Sequence, residues 1–201
     1  MKAKAIGLTG GIASGKSTVS QYLKDRGYQV LDADQLVHEL QQKEGRLYQA
    51  LLAYFGPVIL DEAGNLDRPQ LSQLIFSSPE TLRKSSELQD HIIRQELRQR
   101  YEDLKRKQSV FFMDIPLLYE RQYEDWFDKV WLVYVNSDQQ LSRLMARNKL
   151  SKEEALDRIQ AQMSLDEKRV LADAVVDNSG SLIETYSQLD KLLEDLEKDS
   201  L

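Results

Sequence analysis

Residues 10–18 read Gly10-Gly11-Ile12-Ala13-Ser14-Gly15-Lys16-Ser17-Thr18, which fits the phosphate-binding pattern G-x-x-x-x-G-K-[ST] at every required position. The run before it, Ala5 to Thr9 (AIGLT), predicts a short buried strand, and Ser17 to Arg26 predicts a helix that stops at Gly27. Strand, glycine-rich turn and helix in that order are the setting the motif needs. Glycine at 10, 11 and 15 permits backbone angles and close approaches that a Cβ forbids. The helix that follows turns its unpaired N–H groups and positive end toward the same anion. The reading puts the peptide groups of Gly11, Ile12, Ala13, Ser14, Gly15, Lys16, Ser17 and Thr18 around nucleotide phosphates. Lys16 would reach the β- and γ-phosphates, and the Ser17 hydroxyl would sit on Mg²⁺. The competing reading is a glycine-rich turn that binds nothing.

Working outward, Tyr28 to Leu31 (YQVL) predicts a second parallel strand running into Asp32, Ala33 and Asp34. Two carboxylates then stand at the carboxyl end of a strand, the edge where open α/β sheets bind ligands. Two roles suit Asp34. It can cap a helix over Gln35 to Gln42, or it can accept a proton from an attacking hydroxyl while Asp32 holds Mg²⁺ through water. An apolar run, Ser109 to Asp114 (SVFFMD), likewise predicts a buried parallel strand whose terminal Asp114 faces Mg²⁺ or simply ends a core strand. Pro116 stops that strand, and Val130 to Val135 (VWLVYV) predicts another.

Between these strands the period changes. Leu47, Leu51, Leu52 and Phe55 recur at helical spacing and end at Gly56-Pro57, Val58 to Asp67 reads as an exposed loop, and Ser78-Pro79-Glu80 opens a long helix reaching Leu104. The segment 38–107 is thus expected to be an inserted helical lobe that holds a second substrate. Beyond the strands, Ser137 with Gln140 and Ser151 with Glu154 predict capping boxes, the second opening a helix over Lys152 to Met163. Arg143 and Arg147 share one face of the first helix, suited either to solvent or to a transferring phosphoryl group, with Arg147 as the lid arginine. Ala174 to Val176 predicts a last strand leading to Asn178, beside an adenine ring, and Leu182 to Leu196 a closing helix. The organisation expected is one domain over 3–201, with a nucleotide-binding core (1–37, 108–146 and 171–201), the lobe at 38–107 and a mobile lid at 147–170.

Composition narrows the chemistry. With 201 residues, 41% of them hydrophobic and 30% charged, the chain can bury one sizeable core. A net charge of −6 argues against a nucleic-acid surface. No run of about 18 apolar residues exists to span a membrane. The start MKAKAIGLTGG enters a strand without a secretory signal, so a cytoplasmic protein is expected. The absence of cysteine and the presence of only two histidines exclude disulfides, thiol nucleophiles and a typical zinc site, which leaves a hard, oxygen-bound cation.

Four blocks together resemble the dephospho-coenzyme A kinase family: Ile6 to Thr18 (IGLTGGIASGKST), Leu31 to Asp34 (LDAD), Asp114 to Glu120 (DIPLLYE), and Gln140 to Arg147 with Ala172 to Gly180 (ADAVVDNSG). The resemblance implies an α/β, P-loop NTPase, nucleoside-monophosphate-kinase-like fold, with a parallel sheet flanked by helices, an inserted helical lobe and a helical lid. It also implies ATP-dependent phosphorylation of the ribose 3′-hydroxyl of dephospho-coenzyme A, the last step of coenzyme A synthesis, with Mg²⁺. Asp34 is then the base, Lys16 and Arg147 the other catalytic groups, Arg143 and Asn178 nucleotide contacts, and His91 and Arg94 acceptor contacts. Two positions depart from the family pattern, His38 where Arg is frequent and Ile92 where Pro is frequent. The partner implied is a small molecule, with neither nucleic acid nor membrane, on a monomer or weak homo-oligomer. Rival readings are another P-loop small-molecule or nucleoside-monophosphate kinase, a GTPase switch, and a module that only binds nucleotide. The GTPase reading lacks its base-reading aspartate, since Asn148-Lys149-Leu150 ends in Ser151.

Overall fold

A computed structural model describes residues 3–198. The apolar runs become five strands: β1 (Lys4–Gly10), β2 (Gln29–Asp32), β3 (Val110–Asp114), β4 (Lys129–Tyr134) and β5 (Ala174–Asp177). They form one sheet of order β2-β3-β1-β4-β5, with parallel ladders joining β1 to β3, β1 to β4 and β4 to β5. Leu8 lies beside Asp114 in the first ladder and Gly10 beside Val133 in the second. Strands buried on both faces read as unbroken apolar runs rather than alternations, which is why VFFMD and VWLVYV were legible as strands.

On one face, Ile6, Leu8, Phe112, Trp131, Val133 and Val176 pack with Val19 and Leu23 of α1 (Lys16–Asp25) and with Leu189, Leu193 and Leu196 of the last helix, Leu182–Lys198. A second cluster, Leu132, Val135 and Leu165, packs with Tyr134 and Ala172.

The described chain divides into two compact units, Met1–Leu31 with Leu104–Leu201, and Asp32–Asp103. The second unit contains α2 (Ala33–Leu40), α3 (Arg46–Phe55), α4 (Arg68–Ile75) and most of α5 (Pro79–Lys107). Its small core is Leu51, Ile59 and Leu71, with Phe55, Leu66 and Leu74 against them. One expectation fails here. The stretch 58–67 is not an exposed loop, because Ile59 is fully buried in a short 3-10 turn and Leu60 pairs antiparallel with Leu66. The Asp61 carboxylate closes that hairpin by accepting from the Ala63 and Asn65 amides. Helix α4 follows at once, capped by Asp67, whose side chain accepts from the Gln70 amide.

After β4 the first unit continues with α6 (Ser137–Asn148), α7 (Lys152–Gln160) and α8 (Leu165–Leu171), then β5 and α9 (Leu182–Lys198). Ser151 and Glu154 form the expected capping box. Ser137 does not. The extended residue is Asn136, whose side chain accepts from the Gln139 amide, so the cap lies one residue earlier than expected and Ser137 is the first residue of the helix. The helix expected to reach Met163 ends at Gln160, because a second capping box, Ser164 with Glu167, opens α8 instead.

The loop after β3 carries one conspicuous polar misfit. The Tyr119 hydroxyl is buried with no hydrogen-bond partner among the described residues. Burial first, then the nearby Asp173 and Glu124 carboxylates, push its pKa up to about 12. A buried orphan hydroxyl costs roughly 1–3 kcal/mol, so Tyr119→Phe should stabilise the protein by about 1 kcal/mol in urea unfolding at pH 7. The folded pKa lies above the unfolded value of 10.0, so Tyr119 contributes stability that is complete below pH 10 and is lost as pH rises toward about 12. The Phe variant should therefore lose less stability than the wild type across that window.

Candidate active site

Parallel strands place the ends of β1, β3, β4 and β5 on one edge, and the chemistry-bearing residues leave from it: the loop 10–15 after β1, Asp114 closing β3, α6 after β4, and Asn178 after β5. Helix α1 is preceded at its N-cap position by Gly15, which stands in the left-handed region with φ +89°. A Cβ there would also collide with the Asn178 side-chain amide, so both backbone angle and space require glycine. Helices α2, α4, α6, α7 and α8 each have a side chain on their first free amides. Helix α1 has none, and its first turn contains no acid. Its positive end is thus left for an anion from outside the helix.

Lys16 and Ser20, one helical turn apart, both reach Asp114. The Lys16 ammonium pairs with one carboxylate oxygen, and the Ser20 hydroxyl donates to the other at 2.6 Å. Asp114 is 2% exposed, so it is a buried counter-ion for the loop lysine, with both oxygens engaged. This qualifies the expectation that Asp114 faces Mg²⁺: it enters a cation's shell only if Lys16 leaves it. Ser17 is exposed in the first turn of α1.

The loop itself is braced from three sides. Asn178, 5% exposed, donates to the Ser14 carbonyl at 2.8 Å and accepts from the Thr185 hydroxyl at 3.0 Å, while Arg143 donates to the Asn178 carbonyl at 2.9 Å. The Asn178 side chain thus holds the loop. Ile12 is gripped at both ends of its peptide: its amide donates to Gln162 at 2.9 Å, and its carbonyl accepts from Gln140 at 2.9 Å. As arranged, the Ile12 amide faces the Gln162 side chain and the Ser14 and Thr18 amides donate to the Gly11 and Gly15 carbonyls, which leaves the amides of Ala13, Gly15, Lys16 and Ser17 for phosphate. Arg147 lies exposed in the last turn of α6, its Nε donating to Asn148 at 2.8 Å.

In the second unit, α2 starts at Ala33, two residues before its expected start. Its cap is Asp32, which accepts from the Gln35 amide at 3.0 Å, not Asp34. Asp34 is an exposed residue of the first helical turn. His91 and Arg94 occupy one face of α5, three residues apart, with His91 exposed and hydrogen-bonded to Gln95. His38, at one of the two departures, bonds Gln42 through one ring nitrogen and Arg68 through the other, both at 2.9 Å.

A family model described as dephospho-CoA kinase matches residues 4–184. The chain belongs to the dephospho-CoA kinase family. A dephospho-CoA kinase of Streptococcus mutans is 55% identical over 196 residues, covering 98% of this chain and 99% of the relative. Among solved structures, TT1252 from Thermus thermophilus is 34% identical with a TM-score of 0.78, covering 98% of this chain and 99% of that one. A dephospho-CoA kinase from Campylobacter jejuni is 27% identical with a TM-score of 0.76, covering 98% of each chain. As a member of this kinase family the protein is a phosphotransferase that uses a nucleotide, on the expected P-loop kinase fold. Among the described residues no helix is long and apolar enough to cross a membrane.

Three residues at this dephospho-CoA kinase loop escaped the sequence reading. Gln162 had no signal beyond its place in the lid segment. Lys168 stood in a run of charges, Asp166 to Arg169, within the expected lid, yet it is fully buried. Glu120 closed the DIPLLYE block without a role. Its carboxylate accepts from the Lys168 ammonium at 2.9 Å and from the Met163 amide at 3.1 Å. Burial above all lowers the Lys168 pKa from its ordinary value, with Lys16 adding to the decrease and Glu120 opposing it.

Proposed function

We propose that the protein transfers the γ-phosphoryl group of ATP to the ribose 3′-hydroxyl of dephospho-coenzyme A, giving coenzyme A and ADP, in the cytoplasm. The observation that carries the phosphate end of this reading is the uncapped, acid-free start of α1 behind Gly15, with Lys16 beside it. The amides of Ala13, Gly15, Lys16 and Ser17 bind the phosphates, and Lys16 exchanges its contact with Asp114 for the β- and γ-phosphates. Asp34 takes the proton from the 3′-hydroxyl as that oxygen bonds the γ-phosphorus and the bond to the bridging oxygen of ADP breaks. Arg143 and Arg147 offset the charge on the transferring group. His91 and Arg94 hold the acceptor.

A divalent cation suits this donor set. Among the described residues no group of three or more His, Cys, Asp or Glu side chains could hold a metal unaided. That agrees with Mg²⁺, which is bound through one or two carboxylates together with substrate phosphates. Ser17 through its hydroxyl, Asp32 through water and Asp114, once Lys16 has left it, would hold it, and when bound it would neutralise phosphate charge.

The test is a coupled ADP-release assay with dephospho-coenzyme A, adenosine, AMP, shikimate or water as acceptor. Dephospho-coenzyme A should exceed every other acceptor by at least about 10²-fold in kcat/KM, a ratio that recognition through several polar contacts readily provides. Comparable ADP release with no acceptor would replace this reading by nucleotide hydrolysis.

A further inference from the structure

Lys168 is a charged side chain with no exposure, on α8, in a mechanism that gives it nothing to do. Its ammonium lies 2.9 Å from the Pro116 carbonyl, 2.9 Å from Glu120 Oε1 and 3.5 Å from the Gly10 carbonyl. Gly10 is the last residue of β1 and the first of the phosphate loop. Pro116 lies two residues beyond Asp114 at the end of β3. The Pro116 carbonyl also accepts from the Thr9 hydroxyl at 3.1 Å. One ammonium thus bridges the exits of two neighbouring strands, and the Lys16–Asp114 pair spans the same two exits. Glu120 extends the bridge to the Met163 amide in the connection between α7 and α8.

Stability alone is a poor reason for this arrangement. Burying an ammonium and a carboxylate costs several kcal/mol in desolvation, and well-packed apolar side chains of similar volume frequently do as well or better. Here the second Glu120 oxygen is itself buried with no hydrogen-bond partner among the described residues, so the pair is not even fully satisfied. What an apolar pair could not supply is direction: a tetrahedral ammonium on α8 fixes the Gly10 and Pro116 carbonyls and the Glu120 carboxylate at set distances.

We propose that Lys168, held by Glu120, is a positioning residue for phosphoryl transfer, which sets the phosphate loop and the Asp114 segment in register and ties the base of the α7–α8 lid to them. This rests on the reading of residues 10–18 as the ATP site. Lys168 touches neither substrate, so its effect passes through Lys16 and the loop amides. A misplacement of about 1 Å at such a site can cost roughly 10²-fold in rate.

The experiment compares wild type, Lys168→Met, Lys168→Arg, Glu120→Gln and Lys16→Ala in the coupled assay with ATP and dephospho-coenzyme A, with a thermal melt of each. Lys168→Met should lower kcat by at least about tenfold at 25 °C, well below its melting midpoint, leave the KM for the acceptor within about twofold, and be restored to within about threefold of wild type by Lys168→Arg. A merely structural lysine would shift the melt and leave kcat unchanged, and kcat within threefold of wild type in Lys168→Met overturns the proposal. If Lys168→Met does not fold, Glu120→Gln decides, because it keeps both acceptor contacts and removes only the charge that holds the ammonium. A fall in kcat of about fivefold or more supports the proposal, and a smaller fall overturns it. Full activity in Lys16→Ala would instead overturn the loop reading, and this inference with it. Loss in Lys16→Ala with none in Lys168→Met sinks the inference alone.

Discussion

Asp34→Asn is expected to lower the kcat for transfer to dephospho-coenzyme A by about 10²–10⁴-fold, the range that a positioned general base contributes, while leaving ATP binding within about threefold of wild type. The substitution is nearly isosteric, and Asp34 is exposed in the first turn of α2, so it opens no cavity. The helix keeps its cap as well, since Asp32 accepts from the Gln35 amide. The loss should therefore fall on chemistry rather than folding. Two measurements separate the cases: single-turnover transfer by the variant, and ATP affinity by titration calorimetry. A variant that transfers phosphate within threefold of the wild-type rate would remove Asp34 from the base role. A variant that no longer binds ATP would move Asp34 to the nucleotide. Asp32→Asn is the informative companion, because its amide can still accept from the Gln35 N–H and so preserves the cap.

How much of this was legible in advance depended on how local the signal was. The phosphate loop, β1, β3, β4 and the start of α5 are written in consecutive residues: apolar runs for strands buried on both faces, glycines for the loop, and, ahead of Pro79, a cap at Ser78, whose hydroxyl accepts from the Thr81 amide. The hairpin around Asp61 was not legible, because only the pairing of Leu60 with Leu66 and the burial of Ile59 make it more than a polar loop. The capping errors at Asp34 and Ser137 share a cause. Several adjacent residues could each have served as caps, and the choice between them lies in the backbone: Asp32 and Asn136 are extended, whereas Asp34 and Ser137 lie inside the helices. The loop's bracing was the least visible part. Gln140, Gln162, Lys168 and Asn178 reach the loop from 128 to 164 residues away in sequence, where no pattern in a single chain relates them.

The second large effect is at Lys16, where stability and catalysis must be separated before either can be read. Removing a cation that meets developing charge costs about 2.7–4 kcal/mol of transition-state stabilisation, so Lys16→Ala should lower kcat/KM for ATP by about 10²–10³-fold. The same substitution leaves Asp114, 2% exposed, with the Ser20 hydroxyl as its remaining side-chain partner among the described residues. Breaking a buried pair by removing one member typically costs about 3–5 kcal/mol, and the partial exposure of Lys16 places this case near 3 kcal/mol. A drop in activity could then be no more than a drop in folded protein. The double variant Lys16→Ala/Asp114→Asn resolves the ambiguity, because a neutral amide needs no counter-ion and can still accept from Ser20. It should recover most of the lost stability in urea unfolding and none of the lost activity. Recovery of both would mean that Lys16 serves only to neutralise Asp114, and that phosphate is held by the amides of the loop alone.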